Sequence, residues 1–172
     1  MIRTVLQFLV LAVVLLLVQV VLSKVIFFNV AVPIVFIYVI LRLPVNLHVN
    51  WVLTIAFLLG LSLDVFNNTP GMHALACVVM AAFRHSVFNA FVPREADMSN
   101  PLPSTDSLGV GVYLKYLSTL TVVYCLLIFF VQAFTLRDVT LTLLRVAASS
   151  VLSIAMMLGI DSLVTTRREK RL

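Results

Sequence analysis

The stretch LSLDVFNNTPGMHAL, residues 61–75, places an acid and an imidazole on the two sides of a turn within an otherwise apolar sequence. Asp64 and His73 lie equally far along the chain from the middle of this turn. If two helices meet there, the two side chains lie at similar depth. The pair then predicts a ligand site, a clamp between helices or a docking surface. Alternatively, Asp64 is solvated at the membrane boundary and caps the turn.

Four charged residues fall inside apolar segments, namely Asp64, Arg84, Arg145 and Asp161. A charge within a membrane helix costs about 2.5–3.5 kcal/mol on insertion scales and usually faces the bundle interior or a cavity. A rise of about 1.5 Å per residue brings Arg145 within reach of Asp64, and Arg84 within reach of Asp161. We therefore expect two ion pairs, although Arg84 and His85 could instead anchor a tilted helix.

Arg145 shares one predicted helical face with Thr142, Ser149 and Ser153, because these residues are three or four positions apart. Such a polar stripe lines either a contact between helices or a small cavity, and a structural contact is our expectation. Small residues in three of the apolar segments, Gly60 among them, would let neighbouring helices approach closely.

Catalytic and cofactor motifs are missing from the sequence. There is no H-E-x-x-H, G-x-S-x-G or P-loop pattern. The three histidines fall in different parts of the chain, and Cys77 and Cys125 lack the spacing of metal ligands. We expect no catalytic residue, no metal and no cofactor.

The composition is that of an integral membrane protein. Of the 172 residues, 62% are hydrophobic and 11% are charged, whereas a soluble protein has about 45–50% and about 25%. The net charge of +5 is concentrated in the terminal RREKRL, which predicts a cytoplasmic anchor beside anionic lipid rather than nucleic-acid binding. The first apolar stretch is longer than the core of a cleavable signal peptide, which indicates a retained helix.

Apolar runs of about 20 residues predict an all-α membrane bundle of six transmembrane helices in a single domain. With six spans and an inside N-terminus, most Lys and Arg residues near the segment ends lie inside, which predicts that both termini are cytoplasmic. The fourth span carries Arg84 and His85 near its middle; without it there would be five helices and the termini would lie on opposite sides. The predicted spans are 4–23, 25–41 with a kink at Pro33, 50–66, 72–92, 113–134 and 139–165, with a polar cytoplasmic loop at 93–112 and a basic cytoplasmic tail at 166–172.

The stretch GLSLDVFNNTPGMHAL resembles the rod-shape-determining membrane protein family MreD. In that family a helix with a G-x-x-x-D step precedes a small turn, and a Gly–small–His–Ala run opens the next helix. The positions that match here are Gly60, Asp64, Pro70, Gly71, His73 and Ala74.

The resemblance implies a multi-pass protein of the bacterial inner membrane that acts as a scaffold or regulator of cell-wall elongation, without a reaction of its own. The implied partners are MreC, a single-span coiled-coil protein, the filament protein MreB, the glycosyltransferase RodA and its penicillin-binding transpeptidase. The family is also similar in fold to the S components of energy-coupling-factor transporters. The alternative function is therefore a small-molecule-binding subunit of a membrane transporter, which the very short predicted outer loops disfavour; an intramembrane enzyme is a third reading.

Asp64 is expected to clamp the third helix to Arg145, near a turn that faces the periplasm and shapes a docking surface. The residues expected to serve structure or partner docking are Gly60, Asp64, Pro70, Gly71, His73, Arg84, Arg145, Ser149 and Asp161.

Overall fold

The computed structural model describes residues 2–24, 32–92, 103, 108–132 and 139–169. This part of the chain is all-helical and contains no strand. Its helices are α1 (Ile2–Lys24), α2 (Tyr38–Leu41), α3 (Val49–Asn67), α4 (Met72–Phe91), α5 (Val110–Gln132) and α6 (Val139–Glu169).

Four of these helices are long and apolar enough to cross a membrane. They are α3, α4, α5 and the part of α6 from Thr140 to Ser162, and a shorter apolar helical stretch covers Phe8–Ser23 in α1. The fourth predicted span, which carries Arg84 near its middle, is thus a full-length apolar helix. A multi-pass membrane bundle is the architecture that the composition predicts.

The helices run alternately towards and away from the turn at residues 68–71. The end of α1 meets the end of α3, where Ser23 Oγ and Asn67 Oδ1 are 2.9 Å apart. The second half of α5 meets the first turn of α4, where Tyr124 bonds to His73. α1, α3 and α5 therefore run towards the turn, and α4 and α6 run away from it. We call this end of the bundle the turn end, and the other end the Arg42 end.

The second predicted span, 25–41, is wrong as a continuous helix. Residues 32–35 have no regular secondary structure, a turn follows, and α2 is a single helical turn; residues 25–31 lie outside the described residues. Pro33 supplies the reason, because it lacks a backbone N–H and disfavours a helical conformation at the residue before it. The segment is nevertheless buried from Pro33 to Leu43.

Gln19 of α1 bonds to this irregular backbone from one side. Its Nε2 donates to the Pro33 carbonyl at 3.0 Å, and its Oε1 accepts from Val35 N at 2.7 Å. Non-helical backbone is tolerated at membrane depth only where it is buried in protein or lines a water-filled cavity. Gln19 is 2% exposed, so its amide replaces hydrogen bonds that a helix would have made internally.

Two serines of α6 bond to the same backbone from the other side. Ser149 Oγ accepts from Val32 N at 3.1 Å, and Ser153 Oγ accepts from Ile34 N at 2.8 Å. Two members of the predicted polar stripe, Ser149 and Ser153, are therefore used in a structural contact, whereas Arg145 is exposed. The partner of the two serines is an irregular segment rather than another helix.

The remaining boundaries differ by a few residues from the prediction. α5 begins at Val110, three residues before its predicted start, and α6 continues to Glu169 through the first residues of the predicted tail. The loop predicted at 93–112 lies mostly outside the described residues, and so do residues 170–172. All four tyrosines of the chain are fully buried, and three of them make the polar contacts described below.

Candidate functional site

Gly60 lets α4 begin directly against α3. A Cβ atom added at this position would lie 2.6 Å from Ala74 Cα and 2.7 Å from the His73 carbonyl oxygen. These neighbours are backbone atoms and cannot move aside without separating the two helices. Position 60 therefore requires glycine because of a close helix–helix approach.

Asp64, one helical turn after Gly60, caps the N-terminus of α4 from across the turn. Its Oδ1 accepts from His73 N at 3.0 Å, and its Oδ2 accepts from Ala74 N at 2.9 Å. Thr69 Oγ1 donates to Oδ1 at 2.9 Å. The N-cap residue, Gly71, has no side chain for this task. A buried carboxylate thus satisfies the first N–H groups of α4 and lies at the positive end of its dipole.

The turn between the two helices depends on two left-handed residues. Asn68 ends α3 at φ 56°, and Gly71 precedes α4 at φ 79°. The backbone N–H groups of Asn68 and Thr69 both reach the Asp64 carbonyl, the latter at 3.1 Å. The Gly–x–x–x–Asp step, the turn and the start of the next helix are therefore one structural unit.

The predicted ion pair between Asp64 and Arg145 is wrong. The Asp64 oxygens are bonded within the α3–α4 hairpin, and Arg145 is exposed on α6. The buried face of α6 runs through Val146, Ser153 and Met157. At about 100° per residue, Arg145 lies roughly 100° from the middle of that face. Asp64 instead caps the turn, which was the alternative expectation, but it is buried rather than solvated, and it joins α3 to α4 rather than to α6.

At the Arg42 end, Asp161 forms a buried ion pair with Arg42 of the irregular segment. Arg42 Nη1 lies 3.2 Å from Asp161 Oδ1, and both side chains are at most 6% exposed. Tyr38 Oη donates to the same oxygen at 2.7 Å and also accepts from Arg42. The guanidinium lies over the Tyr38 ring, 5.6 Å from its centre. This network joins the segment around α2 to the second half of α6.

Arg84 does not bond to Asp161, so the second predicted ion pair is also wrong. Its Nε donates to Tyr116 Oη at 3.1 Å, and a second guanidinium nitrogen donates to the Leu43 carbonyl. The physical reason is the buried segment 32–43, which lies between α4 and α6. This segment brings Arg42 to Asp161, although the sequence places Arg42 in a connection between helices.

The two histidines of α4 have separate environments. His73 is half-buried, and its Nδ1 lies 2.7 Å from Tyr124 Oη. Phe36 packs edge-on against both rings. His85 is exposed and lies 3.0 Å from the side chain of Asn89. Asp64 bonds to the backbone of His73 and not to its imidazole, so the two do not form an acid–base pair through their side chains.

A cavity of about 240 Å³ lies at the turn end beside this hairpin. The described residues that line it belong to α1, the irregular segment 32–36, α3, the turn after α3, α4 and α5. Of the residues predicted to serve structure or docking, His73 lines it, and Asp64, Arg84, Arg145 and Asp161 do not. Its polar walls include Gln19, Ser23, Asn67, Thr69, His73, Tyr124 and Gln132.

Within the described residues, no three His, Cys, Asp or Glu side chains are grouped to hold a metal ion. Cys77 and Cys125 are both buried as free thiols. The buried carboxylates Asp64 and Asp161 are engaged by helix N–H groups and by Arg42, respectively. These two carboxylates therefore take part in hydrogen bonding and ion pairing within the bundle.

Several structural residues were missed in the sequence because their partners are distant along the chain. Gln19 and Pro33 are 14 residues apart, and Tyr38 and Asp161 are 123 apart. A weak signal does exist, since Gln19 is the one amide within the apolar run 8–22 and every tyrosine falls in or beside an apolar segment.

Comparisons with family models, with curated proteins and with solved structures find no match to this chain.

Proposed function

We propose that this protein is a non-enzymatic scaffold or regulator of the cell-wall elongation complex in the bacterial inner membrane, similar to the MreD family. The observation that carries the proposal is the α3–α4 hairpin. The residues that give the resemblance form one unit, in which Gly60 permits close packing and Asp64 caps α4. A motif that builds a rigid hairpin suits a protein that presents surfaces to partners.

The use of the polar groups supports a scaffold over an enzyme. Asp64, Arg84 and Asp161 each bond within the bundle, which leaves them occupied in holding helices together. The exposed faces of the spanning helices are apolar, with Val65 at 72% and Val151 at 69% exposure. Such faces suit lipid and the single transmembrane helix of a partner.

In this proposal the turn end faces the periplasm and both termini are cytoplasmic. The partner in direct contact is MreC, whose single span lies against the bundle. RodA and its penicillin-binding transpeptidase are joined through the same assembly. MreB is reached directly or indirectly at the Arg42 end, where the basic C-terminus also meets anionic lipid.

Purification of the native complex tests this function. The chain carries an affinity tag at its natural expression level, is extracted in mild detergent, and bound proteins are identified by mass spectrometry. We expect a single-span coiled-coil protein together with wall synthases. Their absence from the wild-type complex, with the bait recovered intact, would overturn the proposal.

A matched pair of variants shows whether recovery depends on the hairpin. Gly60→Ala alters the contact with Ala74, whereas a Cβ at Gly159 of α6 meets no atom within 4 Å. We expect Gly60→Ala to lower the recovery of partners per molecule of bait, and Gly159→Ala to leave it unchanged.

A second candidate function is a small-molecule-binding subunit of a membrane transporter, with the fold of an S component. The observation that favours it is the cavity at the turn end, lined by several parts of the bundle. The same purification distinguishes it, because this function requires ATPases and a coupling membrane protein in place of wall synthases.

A further inference from the structure

The described residues that line the cavity at the turn end include no Asp, Glu, Lys or Arg. Asp64 is close by, but its oxygens accept hydrogen bonds from the start of α4. A charged ligand would therefore meet no opposite charge among these residues, which is unfavourable wherever binding removes its water. The walls favour a neutral ligand.

One part of the wall is aromatic. Phe36 and Tyr124 both line the cavity, with ring centres 5.8 Å apart and nearly perpendicular planes. The imidazole of His73 is held beside them by its bond to Tyr124. Three rings in mutual contact form an aromatic wall, and two of them use polar atoms on each other, so that this wall suits the face of a flat ligand.

Another part of the wall offers hydrogen-bonding groups that the described residues do not use. Asn67 Oδ1 receives Ser23 Oγ at 2.9 Å, but the amide nitrogen of Asn67 has no partner there. Gln132, at the end of α5, also lines the cavity without a hydrogen bond to a described residue. Gln19 differs, because both ends of its amide bond to backbone.

We propose that this cavity binds a neutral, partly aromatic small molecule, with its flat apolar part against Phe36 and Tyr124 and a hydrogen-bonding end at Asn67 and Gln132. The volume of about 240 Å³ accommodates a ligand of roughly ten non-hydrogen atoms. This inference rests on the walls of the cavity and on neither proposed function. A scaffold could use such a site for regulation, and a transporter subunit for its cargo.

Two probes of equal size test the chemical class. 4-Fluorobenzamide is neutral and has an amide end, and 4-fluorobenzoate is its anionic counterpart. The full chain in lipid nanodiscs is titrated with each probe at about pH 8, where imidazoles are uncharged, and binding is followed by ¹⁹F NMR with empty nanodiscs as the blank. We expect saturable binding of the amide near about 1 mM, the range of a ten-atom fragment, and at least about tenfold weaker binding of the benzoate.

Two variants of α5 locate the binding. Ile128 lines the cavity, and Val122 is exposed on the same helix. We expect Ile128→Phe to weaken 4-fluorobenzamide at least about tenfold by filling the cavity, and Val122→Phe to leave its affinity unchanged. Asn67→Leu provides a second test at the polar end, with a loss of about three- to tenfold.

Three results would overturn the inference. The first is binding no different from that of empty nanodiscs. The second is equal affinity for amide and benzoate, and the third is equal loss in Ile128→Phe and Val122→Phe. A cavity filled only by water or by a lipid chain would give the first result, while recovery of wall synthases or transporter proteins with the wild-type chain would be unaffected.

Discussion

The two ends of the bundle bury their charges in different ways. At the turn end, the Asp64 carboxylate is held by the backbone N–H groups of His73 and Ala74. At the Arg42 end, the Asp161 carboxylate is held by the side chains of Arg42 and Tyr38. The first arrangement needs no counter-charge, because the start of a helix supplies both donors and a favourable dipole.

The two carboxylates also differ in how far along the chain their hydrogen-bond partners lie. The groups that bond to the Asp64 side chain are 5 to 10 residues away in the chain, whereas Arg42 and Tyr38 are 119 and 123 residues from Asp161. The contacts of the Asp64 side chain thus lie within one hairpin, whereas those of Asp161 require distant segments to pack together.

Asp161→Leu should give the largest loss of unfolding free energy. It leaves Arg42 buried without its carboxylate, and breaking one side of a buried pair costs about 3–5 kcal/mol of unfolding free energy. The unfolding free energy is measured in mixed micelles for Asp161→Leu, Arg42→Leu and the double variant. We expect the double variant to be more stable than the sum of the single losses predicts.

The matched control is a second double-mutant cycle, in which Asp161→Leu is combined with Arg84→Leu in place of Arg42→Leu. Arg84 bonds to Tyr116 and Leu43, so its loss should add to that of Asp161→Leu within about 0.5 kcal/mol. A large coupling energy between Arg84 and Asp161, with none between Arg42 and Asp161, would instead support the Arg84–Asp161 ion pair expected from depth alone.

Gly60→Ala should have the next largest effect, a loss of about 1–3 kcal/mol, because the added Cβ meets the backbone of α4. Gly159→Ala tests the same chemical change in open space on α6. It should be neutral or slightly stabilising, since alanine exceeds glycine in helix propensity by about 1 kcal/mol. Similar losses for the two variants would contradict the close contact at Gly60.

Asp64→Ala should cost about 2 kcal/mol, at the upper end for loss of a helix cap, since its partners lie in a buried site. Arg145→Gln should change stability by less than about 0.5 kcal/mol because Arg145 is exposed. The double variant should show simple additivity of unfolding free energies. A coupling above about 1 kcal/mol between positions 64 and 145 would refute the hairpin cap as the main role of Asp64.

Among the buried positions tested, Ser153→Ala should give the smallest loss of unfolding free energy, about 0.6–2 kcal/mol, because it removes the acceptor for Ile34 N. Ser62→Ala is its control, since the Ser62 hydroxyl bonds only to the Leu58 carbonyl in its own helix. Hydrogen exchange at the Ile34 amide should accelerate in Ser153→Ala alone. Unchanged exchange there would show that the serine does not hold the extended segment.

Sequence reasoning recovered most of the helices and the hairpin, but not the irregular segment. Runs of apolar residues predict spanning helices because the bilayer requires about 20 of them, whatever they pack against. The segment around Pro33 is equally apolar. Its conformation depends on Gln19, Ser149 and Ser153, which donate to or accept from its backbone and lie far away in the chain.

The same distinction applies to the candidate site. A membrane protein with long helices and a turn at residues 68–71 follows from composition and local residue types, since hydropathy, glycine and proline act on their own neighbourhood. The partners of Asp64, Arg84 and Asp161 do not follow, because similar depth permits several pairings. Packing decided among them, since the buried segment 32–43 brought Arg42 to Asp161, and the close approach at Gly60 brought the start of α4 to Asp64.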